Sequence, residues 1–188
     1  VTRDVMLVSV PERFVESYTL RLKPGTADTV EAFVRMNRKE AGQRVGLTIP
    51  ELKIDLQGTT DADGIARFEK RAKIGLWSPE SPKLYAVTIA SDDDRVEDEV
   101  GFRTIETRGR EILLNGKPIF LRGISIHEEA AFRNGRIAKV EEDRTLLNWA
   151  KELGCNYVRL AHYPHNEQMV REAERMGLLV WSEIPVYW

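Results

Sequence analysis

Apolar and polar residues alternate along much of residues 1–105. Met6, Val8 and Val10, then Val30, Ala32, Val34 and Met36, then Leu52, Ile54 and Leu56, Tyr85, Val87 and Ile89, and Val96, Val100 and Phe102 each place one apolar face on an extended strand. Turn-forming residues separate these sets: Lys23-Pro24-Gly25, Gln57-Gly58, Asp61-Ala62-Asp63-Gly64, Ser78-Pro79 and Ser91-Asp92-Asp93-Asp94. The spacing predicts an antiparallel sandwich of about seven strands, the size of an immunoglobulin-like module. No helical period competes with it in this half.

Near residue 106 the period changes. Asn115-Gly116 between apolar runs predicts a hairpin, because both central residues of the favoured two-residue turn take positive φ. Phe120 to Ile126 reads as a short strand, and Glu141 to Leu153 as a helix with an apolar stripe at Leu146, Trp149, Ala150 and Leu153, closed by Gly154. Acidic Glu141, Glu142 and Asp143 suit the positive end of that helix. Tyr157 to Ala161 reads as a strand, Glu167 to Met176 as a second helix stopped by Gly177, and Leu178 to Trp181 as a third strand. The two stop glycines lie 23 residues apart, an internal repeat that implies parallel strands joined by right-handed helical crossovers. A closed (β/α)8 barrel takes about 250 residues. Only 83 follow residue 105. The expected fold class is therefore multidomain, β plus α/β: an immunoglobulin-like β-sandwich over 1–105, and over 106–188 a truncated TIM barrel contributing its first three strands.

Composition narrows the functions open to such a chain. With 188 residues and 42% hydrophobic content there is ample material for a core, and disorder is excluded for the bulk. Lys and Arg (28) nearly balance Asp and Glu (30), so no basic field draws nucleic acid or anionic lipid, and neither is an expected partner. The single Cys155 has no partner for a disulfide or a zinc site and reads as buried packing. No apolar run is long enough to span a membrane. The first residues, Val-Thr-Arg-Asp-Val-Met-Leu-Val, carry neither an initiator Met nor a signal-peptide core, which reads as an internal start and leaves the compartment unassigned and an oligomer open.

Candidate chemistry gathers where the predicted parallel strands end. Ser125-Ile126-His127-Glu128-Glu129 follows the first, His162-Tyr163-Pro164-His165 the second and Ser182-Glu183-Ile184-Pro185 the third. Ligands bind at the carboxyl ends of strands in such sheets. All three histidines of the chain fall in these loops. Each residue also has a plainer reading, with His127 and His162 as structural histidines and Glu128 and Glu129 as solvated loop charges. Glu183 on an apolar strand needs a partner or an open cleft, and the cleft is favoured. Arg122 and Arg159 lie within or near the strands and could pair with such carboxylates, in a structural role as readily as a functional one. His162-x-x-His165 is a weak metal signal, since Pro164 breaks the helix that would align it and no third ligand follows, so no metal is expected. There is no serine-nucleophile elbow and no phosphate-binding glycine loop. Trp77 and Trp149 are assigned to the core, while Tyr187 and Trp188 beyond the third strand could stack on a sugar face or pack under a barrel loop.

Five motifs in order resemble the family 2 glycoside hydrolases, the family of β-galactosidases, β-glucuronidases and β-mannosidases. They are Leu76-Trp77-Ser78-Pro79-Glu80-Ser81-Pro82-Lys83-Leu84-Tyr85, Val100-Gly101-Phe102-Arg103-Thr104-Ile105, Leu114-Asn115-Gly116-Lys117-Pro118-Ile119-Phe120-Leu121-Arg122-Gly123, His127-Glu128, and Val158-Arg159-Leu160-Ala161-His162-Tyr163-Pro164. The resemblance covers 76–188; residues 1–75 match only in being strand-rich. It implies an immunoglobulin-like domain leading into a catalytic barrel, preceded by a jelly-roll sugar-binding domain whose last strand would be residues 1 to about 10. It also implies a retaining exo-β-glycosidase acting on terminal β-galactosides or β-glucuronides, with an acid/base Glu and a nucleophile Glu about 5 to 5.5 Å apart. In the family the acid/base Glu follows an Asn at the end of the fourth barrel strand. Asn166-Glu167 instead opens the second helix, so neither catalytic Glu lies in the chain, and the chain alone is expected to be inactive. By resemblance the substrate-binding residues are His127, Glu128, His162 and Glu183, the last preceded by Ser182 where the family usually has Asp. Tyr187 stands where some β-galactosidases carry a magnesium-binding carboxylate, so no cofactor is expected. The competing reading is a non-catalytic sandwich module for carbohydrate or protein interaction.

Overall fold

The alternation at Val30, Ala32, Val34 and Met36 becomes strand β2 (Thr29–Met36), with each of these side chains at most 1% exposed. The computed structural model describes residues 5–185. Around β2 stand β1 (Val15–Leu22), β3 (Arg44–Ile49), β4 (Ile54–Thr59), β5 (Ile65–Arg71), β6 (Tyr85–Ser91) and β7 (Arg95–Val100). They form two antiparallel sheets, ordered β1-β2-β5 and β4-β3-β6-β7. The inward faces share one core, in which Val34, Met36 and Ala66 meet Val45, Leu47, Ile54, Val87 and Ile89. Phe102 lies past the end of β7 yet is buried, its ring 5.7 Å from that of Tyr85.

Two expectations in this half fail. Met6, Val8 and Val10 alternate, but residues 5–11 lie in no strand and Met6 is 78% exposed. Alternation makes a strand only where a neighbour completes the ladder, and no described residue does so here. Leu52 belongs to a short 3₁₀ turn, Pro50–Leu52, so β4 carries only Ile54 and Leu56 of its predicted set.

Two compact units divide the chain. One comprises Leu7–Leu76 and Lys83–Lys117; the other takes in Trp77–Pro82 and the chain from Pro118 onward. The small sheet β10-β9-β8 is built from β8 (Ile105–Arg108), β9 (Glu111–Leu114) and β10 (Lys117–Pro118). Asn115 (φ 53°) and Gly116 (φ 75°) make its predicted turn.

In the second unit β11 (Gly123–Ile126), α1 (Val140–Glu152), β12 (Tyr157–Leu160), α2 (Glu167–Arg175) and β13 (Leu179–Ser182) form the parallel βαβαβ arrangement that the repeat predicts. Gly154 (φ 77°) and Gly177 (φ 73°) follow the two helices. Val158 and Leu160 turn one sheet face onto Leu147, Ala150, Met169 and Ala173, while Arg159 is in register with Ser125 and Trp181 on the other face. Cys155 is buried and unpaired, as expected.

The helical stripe of α1 is rotated from the predicted one. Its buried residues are Asp143, Leu147 and Ala150, at i, i+4 and i+7, whereas Trp149 is 41% exposed and Leu153 72%. Trp149 is thus not a core residue; it stands edge-on to Phe132 at 5.6 Å. Trp77 is one, fully buried. Phe120 is exposed, because β11 begins only at Gly123, where a Cβ would strike the ring and carbonyl of Tyr157. Tyr187 and Trp188 lie outside the described residues.

Asn166 caps α2, its side-chain oxygen accepting from the Met169 N–H at 3.0 Å. Asn166→Ala is expected to lower the stability of this unit by about 1 kcal/mol in denaturant unfolding followed by helical circular dichroism.

Candidate functional site

Parallel register brings Ile126 beside Leu160 and Leu160 beside Ser182, so the segments leaving β11, β12 and β13 emerge together. The Ala161 N–H donates to the Ile126 carbonyl at 3.0 Å, carrying the pairing one residue further. Immediately beyond stand His127 and His162, both exposed, with ring centroids 5.2 Å apart and planes at 81°.

Glu183 completes the cluster. Arg159 grips it with two donors, Nε to Oε1 at 2.8 Å and a terminal guanidinium nitrogen to Oε2 at 3.1 Å. That same nitrogen lies 3.3 Å from His162 Nδ1, which is itself 3.5 Å from Glu183 Oε2. The Arg159 hydrogen bonds, aided by its charge and by His162, hold the Glu183 carboxyl below the usual carboxylate range. The guanidinium also lies 5.6 Å from the Trp181 ring centroid. The surface so formed offers an ionised acceptor, two imidazoles and an aromatic edge, a set suited to a polyhydroxylated ligand.

Three of the four sequence-predicted site residues, His127, His162 and Glu183, therefore come together. Glu128 stands apart: it is 1% exposed, and both its carboxylate oxygens are engaged, Oε2 by Arg136 at 2.7 Å and Oε1 by the Asn166 N–H at 2.8 Å. The chain bends at Glu128, with the Glu129 N–H donating to the His127 carbonyl at 2.8 Å, and the bend carries Glu128 inward while His127 faces solvent. Glu129 is exposed. His165 is buried, with Nε2 2.9 Å from the Ala161 carbonyl and its ring stacked on Tyr163 at 5.3 Å. Arg122 bonds the Gly154 carbonyl rather than a carboxylate. Arg159 is the member that sequence reasoning treated only as a possible ion-pair partner; its place in the alternation of β12, on the face opposite Val158 and Leu160, was the available signal. Among the described residues no group of three or more His, Cys, Asp or Glu is arranged to hold a metal ion, and no helix is long and apolar enough to cross a membrane.

Parallel strands joined by helices, with polar side chains gathered at the strands' carboxyl ends, are the arrangement by which TIM barrels and other parallel α/β sheets bind ligands. Residues 105–187 match the family described as glycosyl hydrolases family 2, TIM barrel domain. A β-glucuronidase of Streptococcus agalactiae is 39% identical over 60% of this chain, and a β-galactosidase of Streptococcus thermophilus is 30% identical over 96% of it. Among solved structures, a β-glucuronidase from Ruminococcus gnavus superposes over 94% of this chain and 30% of its own, with TM-score 0.78 and 26% identity. A β-glucuronidase from Lactobacillus rhamnosus does so over 93% of this chain and 30% of its own, with TM-score 0.75 and 29% identity. The chain belongs to family 2 of the glycosyl hydrolases. It spans 19% of the length of each of the two curated relatives it matches here.

Proposed function

We propose that these residues are part of a retaining exo-β-glycosidase that releases terminal β-glucuronosyl or β-galactosyl groups, and that His127, His162 and Glu183 hold the hydroxyls of the terminal sugar. The observation that carries this reading is the convergence of the three side chains, with Arg159, at the ends of three parallel strands. In this proposal residues 1–105 are an immunoglobulin-like domain and 106–188 open the catalytic barrel. The two sheets with a common core and the βαβαβ unit support that division.

The chemistry assigns binding rather than bond cleavage to this chain. Double displacement needs two carboxyl groups about 5 to 5.5 Å apart, one of them able to give up a proton to the leaving group. Glu183 is kept ionised by a bidentate arginine and suits acceptance of a hydroxyl hydrogen bond, not proton donation. Glu128 is buried and fully engaged. On this reading, as the family resemblance implies, the acid/base and nucleophile glutamates come from other parts of the enzyme, and the 188-residue chain is expected not to turn over substrate.

The test assays this chain with nitrophenyl β-glucuronide and β-galactoside and records its histidine imidazole NMR signals as methyl β-glucuronide or methyl β-galactoside is added. No turnover and a saturable shift of His127 and His162 are expected. Turnover by the chain alone would overturn the assignment of cleavage elsewhere, and unmoved imidazoles with both sugars would overturn the site. Arg159→Ala frees Glu183 and removes the contact to His162. It is expected to weaken the sugar-induced shift about tenfold in half-saturating concentration, the scale of one charge-assisted hydrogen bond.

A further inference from the structure

We infer that Glu128 is a positioning residue that fixes the spacing of His127 and His162 by clamping two strand-end loops to each other. Its carboxylate is nine-tenths or more buried and bonds two separate segments. Arg136, eight residues on, returns against the same loop through the Glu129–Arg136 bridge and the Ala130 N–H to Gly135 carbonyl bond at 3.0 Å. Asn166 belongs to the loop after β12, four residues beyond His162. The backbone supplies a third tie, the Glu128 N–H lying 3.4 Å from the Tyr163 hydroxyl.

These contacts close into a ring. The Arg136 guanidinium sits 4.6 Å from the Tyr163 ring centroid, Tyr163 stacks on His165, and His165 Nε2 meets the Ala161 carbonyl. The residue directly after His127 is therefore joined to residues on both sides of His162. A buried carboxylate is costly unless it is paired and hydrogen-bonded, and here one oxygen meets the Arg136 cation and the other a backbone N–H, both at short range. Replacing the carboxylate by an amide removes the charge that pairs with Arg136 and leaves one oxygen to serve two donors, so one of the two anchors is lost. The side chain meets no ligand itself. It acts through the two histidines, so its purpose rests on the sugar-binding reading of that pair, although its geometry does not.

The experiment compares the full chain with Glu128→Gln in the absence of sugar, reading the nuclear Overhauser effect between the His127 and His162 ring protons. Arg133→Ala, which removes an ion pair with Glu142 and a bond to the Arg136 carbonyl but keeps Glu128 and both its donors, is the control. An unsupported site drifts by about 1 Å; from a centroid separation of 5.2 Å, inverse sixth-power dependence turns that drift into about a threefold loss of signal. The expected result is that loss in Glu128→Gln, with dispersed amide signals retained, and no loss in Arg133→Ala. A folded Glu128→Gln chain with an unchanged ring-to-ring signal would overturn the inference. Should Glu128→Gln fail to fold, Arg136→Met, which removes one anchor and keeps the Asn166 bond, is read by the same criterion. Because no sugar is present, failure here is distinct from failure of the sugar-binding reading, which shows as unmoved imidazoles in the parent chain.

Discussion

Replacing Trp77 by alanine is expected to destabilise the α/β unit by about 3–5 kcal/mol, the range for truncating a buried indole. The side chain is fully buried, and its Nε1–H donates to the Glu174 carbonyl at 2.9 Å. That carbonyl lies in the last turn of α2, outside the regular helical ladder, and also accepts from the Gly177 N–H at 3.2 Å. The same strap approaches the helix end a second time: a Cβ on Gly177 would collide with the Pro79 carbonyl, and Gly177 holds φ at 73°. Trp77→Ala thus opens a large cavity and removes one of the donors to the Glu174 carbonyl, which keeps the Gly177 N–H at 3.2 Å. Trp77→Phe keeps most of the ring volume and loses the donor, and is expected to cost about 1–2 kcal/mol. Both helices belong to this unit, so the helical circular dichroism signal in a denaturant titration reports on it. An alanine variant within about 1 kcal/mol of the parent would show that Trp77 does not hold the unit together.

Trp77 also marks a limit of reading the chain as a string. It lies between β5 and β6, amid strand-forming sequence, yet groups with residues from Pro118 onward. Its burial was predictable from its type; the unit it would join was not. Alternation located the inner faces of β2 and β6 because those strands are buried on one side only. It passed over β1, β3 and β5 for identifiable reasons. β1 is a sheet edge with only Val15 and Leu22 buried, β3 buries Val45, Gly46 and Leu47 in succession, and β5 ends in Glu69-Lys70-Arg71. The reverse error at Met6, Val8 and Val10 shows that alternation states a capacity, which a neighbouring strand must realise.

The candidate site was legible in the same partial way. His127, His162 and Glu183 could be found because strand ends are where parallel sheets bind ligands, and the 23-residue glycine repeat fixed where the strands end. For Glu128 the sequence did not give the direction of the side chain, which the bend after β11 sets. Its true partners, Arg136 and Asn166, are separated from it by 8 and 38 positions. Asp143 was hidden more deeply. An acidic residue in the first helical turn satisfies the dipole whichever way it faces, and its burial follows from the rotation of α1, which neighbouring side chains decide.

That burial gives the second large effect. Stability of the α/β unit is expected to fall as pH rises between about 4 and 7, and Asp143→Asn to abolish the fall. Asp143 is fully buried, and among the described residues neither carboxylate oxygen makes a hydrogen bond of ordinary geometry. Burial pushes its pKa from 3.8 up to about 7, reinforced by Glu128 from the loop after β11, Glu172 from α2 and Glu142 from its own helix, with the Asn166 side chain opposing. The folded state therefore keeps a proton that the unfolded chain releases. The resulting penalty begins near the unfolded value, grows with pH and is complete above about 7. Each tenfold gain in proton affinity on folding corresponds to about 1.4 kcal/mol, so the loss is on the order of 2–4 kcal/mol. Glu142 acts in the opposite direction and in another window. Arg133 and the Ala138 N–H hold it down at about 2, so its contribution is present above its ordinary 4.5 and lost as pH falls below that. The unit should be most stable near pH 4 to 5, between the two windows. Denaturant midpoints of the helical signal across this range separate the groups. Asp143→Asn removes only the decline on the alkaline side, whatever offset its amide adds, and Arg133→Ala removes only part of the acid-side loss. A parent chain whose midpoint holds level from about pH 5 to pH 8 would mean that Asp143 ionises without penalty, and that water or a cation reaches it.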